Sequence, residues 1–172
     1  GENSTAVLTG FTITNGLHHT GGGINCTGSS PSLLNLIISG NTSSNQGGGI
    51  YCAYGSPTLN NVTIKNNSAV AWGGGLWFYS ASPVIKNTIV SDNTGDYGVY
   101  MVSGNPTIIY SNFYNNEGGN FKNPYDWLGI NITTNVNGDS CDAFYNIQED
   151  PLFVDADNGD YNLQQSSPCV DA

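Results

Sequence analysis

A triple glycine recurs at a fixed interval, and that interval leaves few folds open. The runs Gly21–Gly23, Gly47–Gly49 and Gly73–Gly75 start 26 residues apart, and Pro31, Pro57 and Pro83 keep the same step. A fourth, shorter copy retains Gly98 and Pro106, with Pro106 only 23 residues after Pro83. The segments SLLNLIISGN, TLNNVTIKNN, VIKNTIVSDN and TIIYSNFYNN follow the four prolines in turn, and TGFTITNG near the start matches the tail of an earlier copy. Self-similarity at such a period marks a stacked repeat whose units cannot bury their apolar faces alone.

Apolar residues inside each copy alternate at period two, as strands require, and no stretch carries a helical period. Aligned columns read Leu33, Leu59, Ile85, Ile108; then Phe11, Leu36, Val62, Thr88, Ser111; then Ile13, Ile38, Ile64, Val90, Phe113; then Ile24, Ile50, Leu76, Val99. Each copy therefore reads as three short strands joined by turns. Stacking the copies places like on like at roughly 4.8 Å. Asn41, Asn67, Asn93 and Asn116 form one polar column, and Asn35, Asn61 and Asn87 another. Such amides can hydrogen-bond along the stacking axis. The glycine columns suit turns that need a positive φ. The expected fold is an all-β, right-handed parallel β-helix of about five to six coils, one domain over residues 1–172. Residues 1–120 supply the repeat coils, 121–146 an insertion, and 147–172 the last coil and cap.

Arranged this way, GGGIYC…SPTLNNVTIKNNSA, GGGLWF…SPVIKNTIVSDN and the closing DPLFVDADNGDYNLQQSSPCVDA resemble the right-handed parallel β-helix repeat proteins of bacteria, of the pectate-lyase-like superfamily. The resemblance covers most of residues 5–120 and 146–172. It is specific for fold and weak for function, because this fold hosts lyases, hydrolases, adhesins and structural proteins. It implies a piece of a surface-associated protein.

Lyases of the superfamily are implied to use Arg or Lys as base beside calcium-binding acids. Here the three basic residues are Lys65, Lys86 and Lys122, there is no arginine, and Asp92 and Asp96 are the only acids between Asn3 and Tyr114. Lys65 and Lys86 fall in different columns with no acidic cluster beside them. Hydrolases of the fold need aspartates on adjacent coils; the corresponding positions hold Asn, Ser and Thr. His18 and His19 share a turn without an aligned Ser or Cys. No catalytic residue is expected.

The strand after each glycine run points Ile24, Ile50, Leu76 and Val99 inward, so their neighbours alternate outward. That outward series, with the residues just before the glycines, collects Tyr51, Trp72, Trp77, Tyr79, Tyr97 and Tyr100 on one face. An exposed aromatic row marks an interface more often than not. Three occupants compete: sugars stacked on the rings, another subunit, or the 123–145 part of the insertion.

Cys26 and Cys52 share an inward column, within reach of a disulfide, with stacked free thiols the plainer alternative. Cys141 and Cys169 form the second expected pair, tying insertion to cap. Asp155, Asp157 and Asp160, in DADNGDYN, space oxygens in the manner of a calcium loop but lack its later bidentate Glu. An acidic solvated turn is the alternative, and no other cofactor is expected. Six glycosylation sequons start at Asn3, Asn25, Asn41, Asn61, Asn66 and Asn131. Asn25, Asn66 and Asn131 are the better candidates, because Asn41 and Asn61 belong to stacked columns.

With a net charge of -10 and only 9% charged residues, the chain repels nucleic acid and anionic membranes. A surface of Asn, Ser, Thr, Gly and Tyr suits a secreted, cell-surface setting, and no run reaches membrane-spanning length. Gly1 opens directly into strand-like sequence, so the chain reads as a mature or excised segment. The expected role is a non-catalytic extracellular structural or adhesive module that associates with itself or with other surface proteins, in filaments or a surface layer. The alternative is a carbohydrate-binding module or a degenerate polysaccharide-active enzyme.

Overall fold

A computed structural model describes residues 6–122, 125 and 127–170. The repeat closes into a parallel β-solenoid of about four turns, slightly fewer than the five to six expected. The difference lies at the C-terminal end, where the last coils contribute strands to the long and third walls but not to the second.

Three walls enclose the core. The long wall stacks Val7–Thr9 and Thr12–Thr14, then Ser32–Ser39, Thr58–Lys65, Val84–Lys86 with Ile89–Ser91, and Thr107–Ile109 with Asn112–Tyr114. A second wall stacks Leu17–Thr20, Thr42–Gln46 and Ser68–Ala69. The third wall, after the glycines, is five strands deep: Ile24–Asn25, Ile50–Ala53, Leu76–Tyr79, Val99–Met101 and Phe121–Lys122.

Equivalent residues lie directly over one another. Ile50 pairs with Ile24 on one side and Leu76 on the other, and Leu76 with Val99. Leu33, Leu59, Ile85 and Ile108 do the same on the long wall. All of these except Ile24 are fully buried, and Phe78 and Phe113 are the largest side chains of the core.

Two devices turn the corners. Asn41, Asn67, Asn93 and Asn116 sit buried between the long and second walls and donate Nδ2 to the next Oδ1 at 2.9, 3.0 and 2.9 Å. Each of the first three also receives the preceding ladder residue's backbone N–H or passes its own upward, as Asn67 N does to Asn93 Oδ1 at 3.0 Å. The ladder thus satisfies backbone groups that the corner would otherwise orphan.

The glycine triplet is the second device, and only part of it answers the expectation of positive φ. Gly47 has φ 66°. Gly48 and Gly49 do not: a Cβ on Gly48 would sit 2.3 Å from the carbonyl oxygen of Gly74, and one on Gly49 2.7 Å from that of Gly75. The first glycine serves conformation and the other two serve close approach of successive coils.

The fourth coil drops three residues just after Asn93, where Thr94–Gly98 replaces Ser68–Gly75. Its share of the second wall shrinks to a single bridge, Ser68 to Thr94. The ladder and the third wall continue across this gap.

The closing segments divide the work differently from the expectation. From the presumed insertion, Phe121 joins the third wall, Leu128 enters the core cluster, and Trp127 packs against it and on Phe144 at 4.9 Å. This segment caps the core. Ile147 bridges Asn112, and the chain then forms the hairpin Phe153–Asp155 with Asp160–Leu163. That hairpin lies along the long wall: Phe153 stacks over Lys65, and Cys169 meets Asn112.

Candidate interaction surface

The aromatic face is real, but its rings are not laid flat to solvent. Tyr51 and Trp77 pair in register on adjacent strands, and their ring centroids are 4.6 Å apart with planes 7° from parallel. That distance equals the rise between coils, so the flat faces are turned along the solenoid axis and solvent meets ring edges. Tyr79 lies beside Trp77 at 6.1 Å, nearly parallel. Trp72 tilts toward Tyr100 at 5.7 Å, and Tyr97 meets Tyr100 edge-on at 6.3 Å.

Trp77 is 5% exposed. The expectation that it projects outward into solvent is corrected: alternation does point it out of the core, but its neighbours on either side enclose it. Among the described residues its buried Nε1 has no hydrogen-bond partner, a cost of about 1–3 kcal/mol. Trp72, at 43%, is the member most open to solvent. Of the segment 121–146, Lys122 reaches this face, 5.8 Å from the Tyr97 ring, while Trp127 and Leu128 go to the core.

One ion pair was missed. Lys65, buried on the outside of the long wall, binds Asp92, which also accepts from Asn115 Nδ2 at 2.7 Å. The two are 27 residues apart, one more than the period, so they sit in adjacent columns rather than one. Their column pattern hid the contact; an offset of one at a corner where Asp92 adopts φ 54° is the signal that reveals it. The hairpin residue Phe153 places its ring 5.3 Å from Lys65 Nζ. Lys65 thus ties two coils and the closing hairpin together.

His18 and His19 lie on the strand Leu17–Thr20 rather than in a turn, and His19 does have a serine partner: Nδ1 is 3.1 Å from Ser44 Oγ. A bulge between His18 and Thr20 shifts the register there and displaced this pair from the expected columns. Both side chains are exposed.

All four cysteines are free thiols, so neither expected disulfide is formed. Cys52 points its Sγ at the carbonyls of Gly55 (3.4 Å) and Cys26 (3.7 Å). Burial pushes the Cys26 thiol up to about 12, helped by the neighbouring Cys52, and pushes Cys52 up to about 11 against a backbone hydrogen bond from Gly55. Cys141 is buried. Cys169 accepts from Asn112 Nδ2 at 3.1 Å.

Asp155 caps the short 3-10 turn Ala156–Asn158, binding Asn158 Nδ2 at 2.8 Å, and Asp160 binds Asn162 Nδ2 at 2.7 Å. Among the described residues no three His, Cys, Asp or Glu side chains converge as a metal set, and Asp157 joins neither cap. Asn25, Asn66 and Asn131 are exposed; Asn41 is buried in the ladder, but Asn61 is exposed, contrary to expectation, because its column lies on the outside of a bend. Asn3 lies outside the described residues.

Stacked parallel strands, an internal amide ladder and aligned ring columns define this protein as a β-solenoid. The chain matches the family described as the right-handed beta helix region over residues 1–149, and it belongs to that family. Neither the curated proteins nor the solved structures contain a match.

Proposed function

We propose that the chain is a non-catalytic, extracellular structural or adhesive module. The observation that carries the reading is the direction of its repeated side chains. The asparagine ladder and the Tyr51–Trp77 stack both spend their contacts on the next coil. Repetition here builds a stiff rod rather than a row of reactive groups. Among the described residues the acid paired with a lysine is Asp92, consumed in an ion pair under the closing hairpin.

Val7–Thr9, Thr12–Thr14, Leu17–Thr20 and Ile24–Asn25 each pair on one side only among the described residues, and Val7, Phe11 and Leu17 are exposed. Such an edge accepts a further coil, in the same polypeptide or another molecule.

Two measurements test the proposal. Incubation with a panel of pectins, xylans and glucans, with and without calcium, is expected to release no reducing ends and no unsaturated products. Sedimentation across a concentration series is expected to show larger species that an Asp at Phe11 abolishes. Sustained release of sugar products sinks the non-catalytic reading, and a monomer at every concentration removes self-assembly.

A further inference from the structure

The shortened fourth coil leaves a notch in the second wall. We infer that this notch docks a short extended segment of a partner protein that carries an arginine or lysine. The site rests on the adhesive part of the role proposed above, but it fails separately: self-assembly and the absence of sugar release can both hold while the notch binds nothing.

The notch follows from three missing residues. Residues 68–75 cross the second wall in the third coil, and residues 94–98 pass the same place in the fourth. Ser68 still bridges Thr94, and Ala69 N donates to Thr94 O at 2.9 Å. Gly95 then closes over Ala69, so near that a Cβ on it would sit 2.0 Å from the Ala69 carbonyl oxygen. The two coils rejoin at Gly73, whose N–H donates to Asp96 O at 3.3 Å. Between these points the third coil keeps an uncovered edge. The coil before shows what is lost: Ser43 O accepts from Val70 N at 3.1 Å, and Asn45 O from Ala71 N at 2.8 Å. One period later, the equivalent carbonyls of Ala69 and Ala71 accept no hydrogen bond among the described residues. Gly95 shields the first, and Ala71 lines the open cleft.

The cleft measures about 490 Å³, with Val70 and Ala71 on its lower lip and Asp96 and Glu117 on its upper one. Glu117 gives Oε2 to Gly95 N at 2.9 Å. Its Oε1 and the exposed Asp96 carboxylate accept from no described residue, and no basic side chain lines the cleft. Val70 is 76% exposed, and Trp72, which follows Ala71, is 43% exposed.

These features select one kind of occupant. An open strand edge takes up extended chain, whose N–H groups meet its carbonyls; a helix has spent those groups on itself. Two carboxylates without a counter-charge, in a molecule of net charge -10, favour a cationic side chain and repel an acidic one. A bare cation would leave Val70 and the edge unused. The open stretch from Ala69 to Trp72 spans roughly 10 Å at about 3.3 Å per residue, so about three or four residues of the partner lie in it.

The experiment titrates the full chain, in about 0.15 M salt, with peptides of about seven residues in a valine and threonine background. One set carries arginine, one carries glutamate in its place, and one carries arginine on an N-methylated backbone. The arginine set is expected to bind and the glutamate set not to. N-methylation should weaken binding at least about tenfold. Asp96→Asn with Glu117→Gln, in which the glutamine keeps an acceptor for Gly95 N, should weaken it about fivefold. Asp157→Asn with Glu149→Gln removes two exposed acids elsewhere and should change nothing. Inserting Ala-Val-Ala after Thr94 restores the 26-residue step, fills the notch and should abolish binding; if it alters the circular dichroism spectrum, the carboxylate variants and the N-methylated set decide. The site is overturned if no arginine peptide binds, if N-methylated peptides bind as well as their parents, if both pairs of acid substitutions weaken binding equally, or if a folded chain with the filled notch still binds.

Discussion

Replacing Asn67 by alanine removes one rung from the middle of the buried ladder. The Asn67 side chain accepts from Asn41 N at 3.1 Å and Asn41 Nδ2 at 2.9 Å, and donates to Ile38 O at 2.8 Å and Asn93 Oδ1 at 3.0 Å. Asn41 Nδ2 keeps Ile13 O and Ser39 O as partners. The Asn41 N–H and the Ile38 carbonyl lose this partner, in a region sealed from water. Stranding each costs about 1–3 kcal/mol, so the variant should lose about 2–6 kcal/mol, a large share of a typical domain's stability of roughly 5–15 kcal/mol. Asn61→Gly is the matched control: it deletes an exposed amide in the outer column and keeps the left-handed backbone easy, so it should stay within about 1 kcal/mol. Urea unfolding followed by circular dichroism reads both as shifts in midpoint. A lower slope for Asn67→Ala would mean that the coils on either side have come apart as separate units. If Asn67→Ala unfolds within about 1 kcal/mol of the parent at unchanged slope, the ladder is decoration and the axial-contact argument fails.

Trp77→Ala should cost about 3–5 kcal/mol in the same assay, whereas Trp77→Phe, which discards the unpartnered Nε1, should cost less than about 1.5 kcal/mol; equal losses would refute the enclosure of that ring. Cys26 and Cys52 hold their protons far above the ordinary 9.0. Above pH 9 the unfolded thiols lose protons that the folded ones keep, so stability is intact below 9 and falls as pH rises toward 11–12. The loss by pH 10 should be about 3 kcal/mol, roughly 1.4 for each thiol, and a Cys26→Ala, Cys52→Ala variant should flatten that part of the pH curve. Asp92→Ala leaves Lys65 under Phe153 without its partner and should cost about 2–3 kcal/mol, while Lys65→Met with Asp92→Asn should restore most of it; a double variant no better than the single one would show that the ion pair itself is needed.

The core columns were legible because the period is strict: Ile24, Ile50 and Leu76 differ by one coil each, and parallel pairing puts them in line. The ladder at Asn41, Asn67, Asn93 and Asn116 was legible for the same reason, since the shortening of the fourth coil falls after Asn93. Contacts that step off the period were not. Lys65 with Asp92, and His19 with Ser44, join neighbouring columns across a corner or a bulge. The outer bend was hidden differently, because Asn35, Asn61 and Asn87 continue as Tyr110 and Tyr145, and tyrosine gives no warning of a left-handed backbone. Ring orientation was the other gap: alternation tells which way Trp77 leaves the strand, and only its neighbours decide that its face turns along the axis.

The three residues missing from the fourth coil have a mechanical consequence. At earlier boundaries the chain is stitched to the next coil along all three walls; between the third and fourth coils the second wall contributes a lone bridge, Ser68 to Thr94. Under tension between its two ends, a rod of like segments parts at the seam with the fewest stitches. The next boundary goes further: among the described residues it has no second-wall pairing, and the third wall pairs only Val99 and Tyr100 with Phe121 and Lys122, so that seam would split the rod into a four-coil piece and a capped remainder.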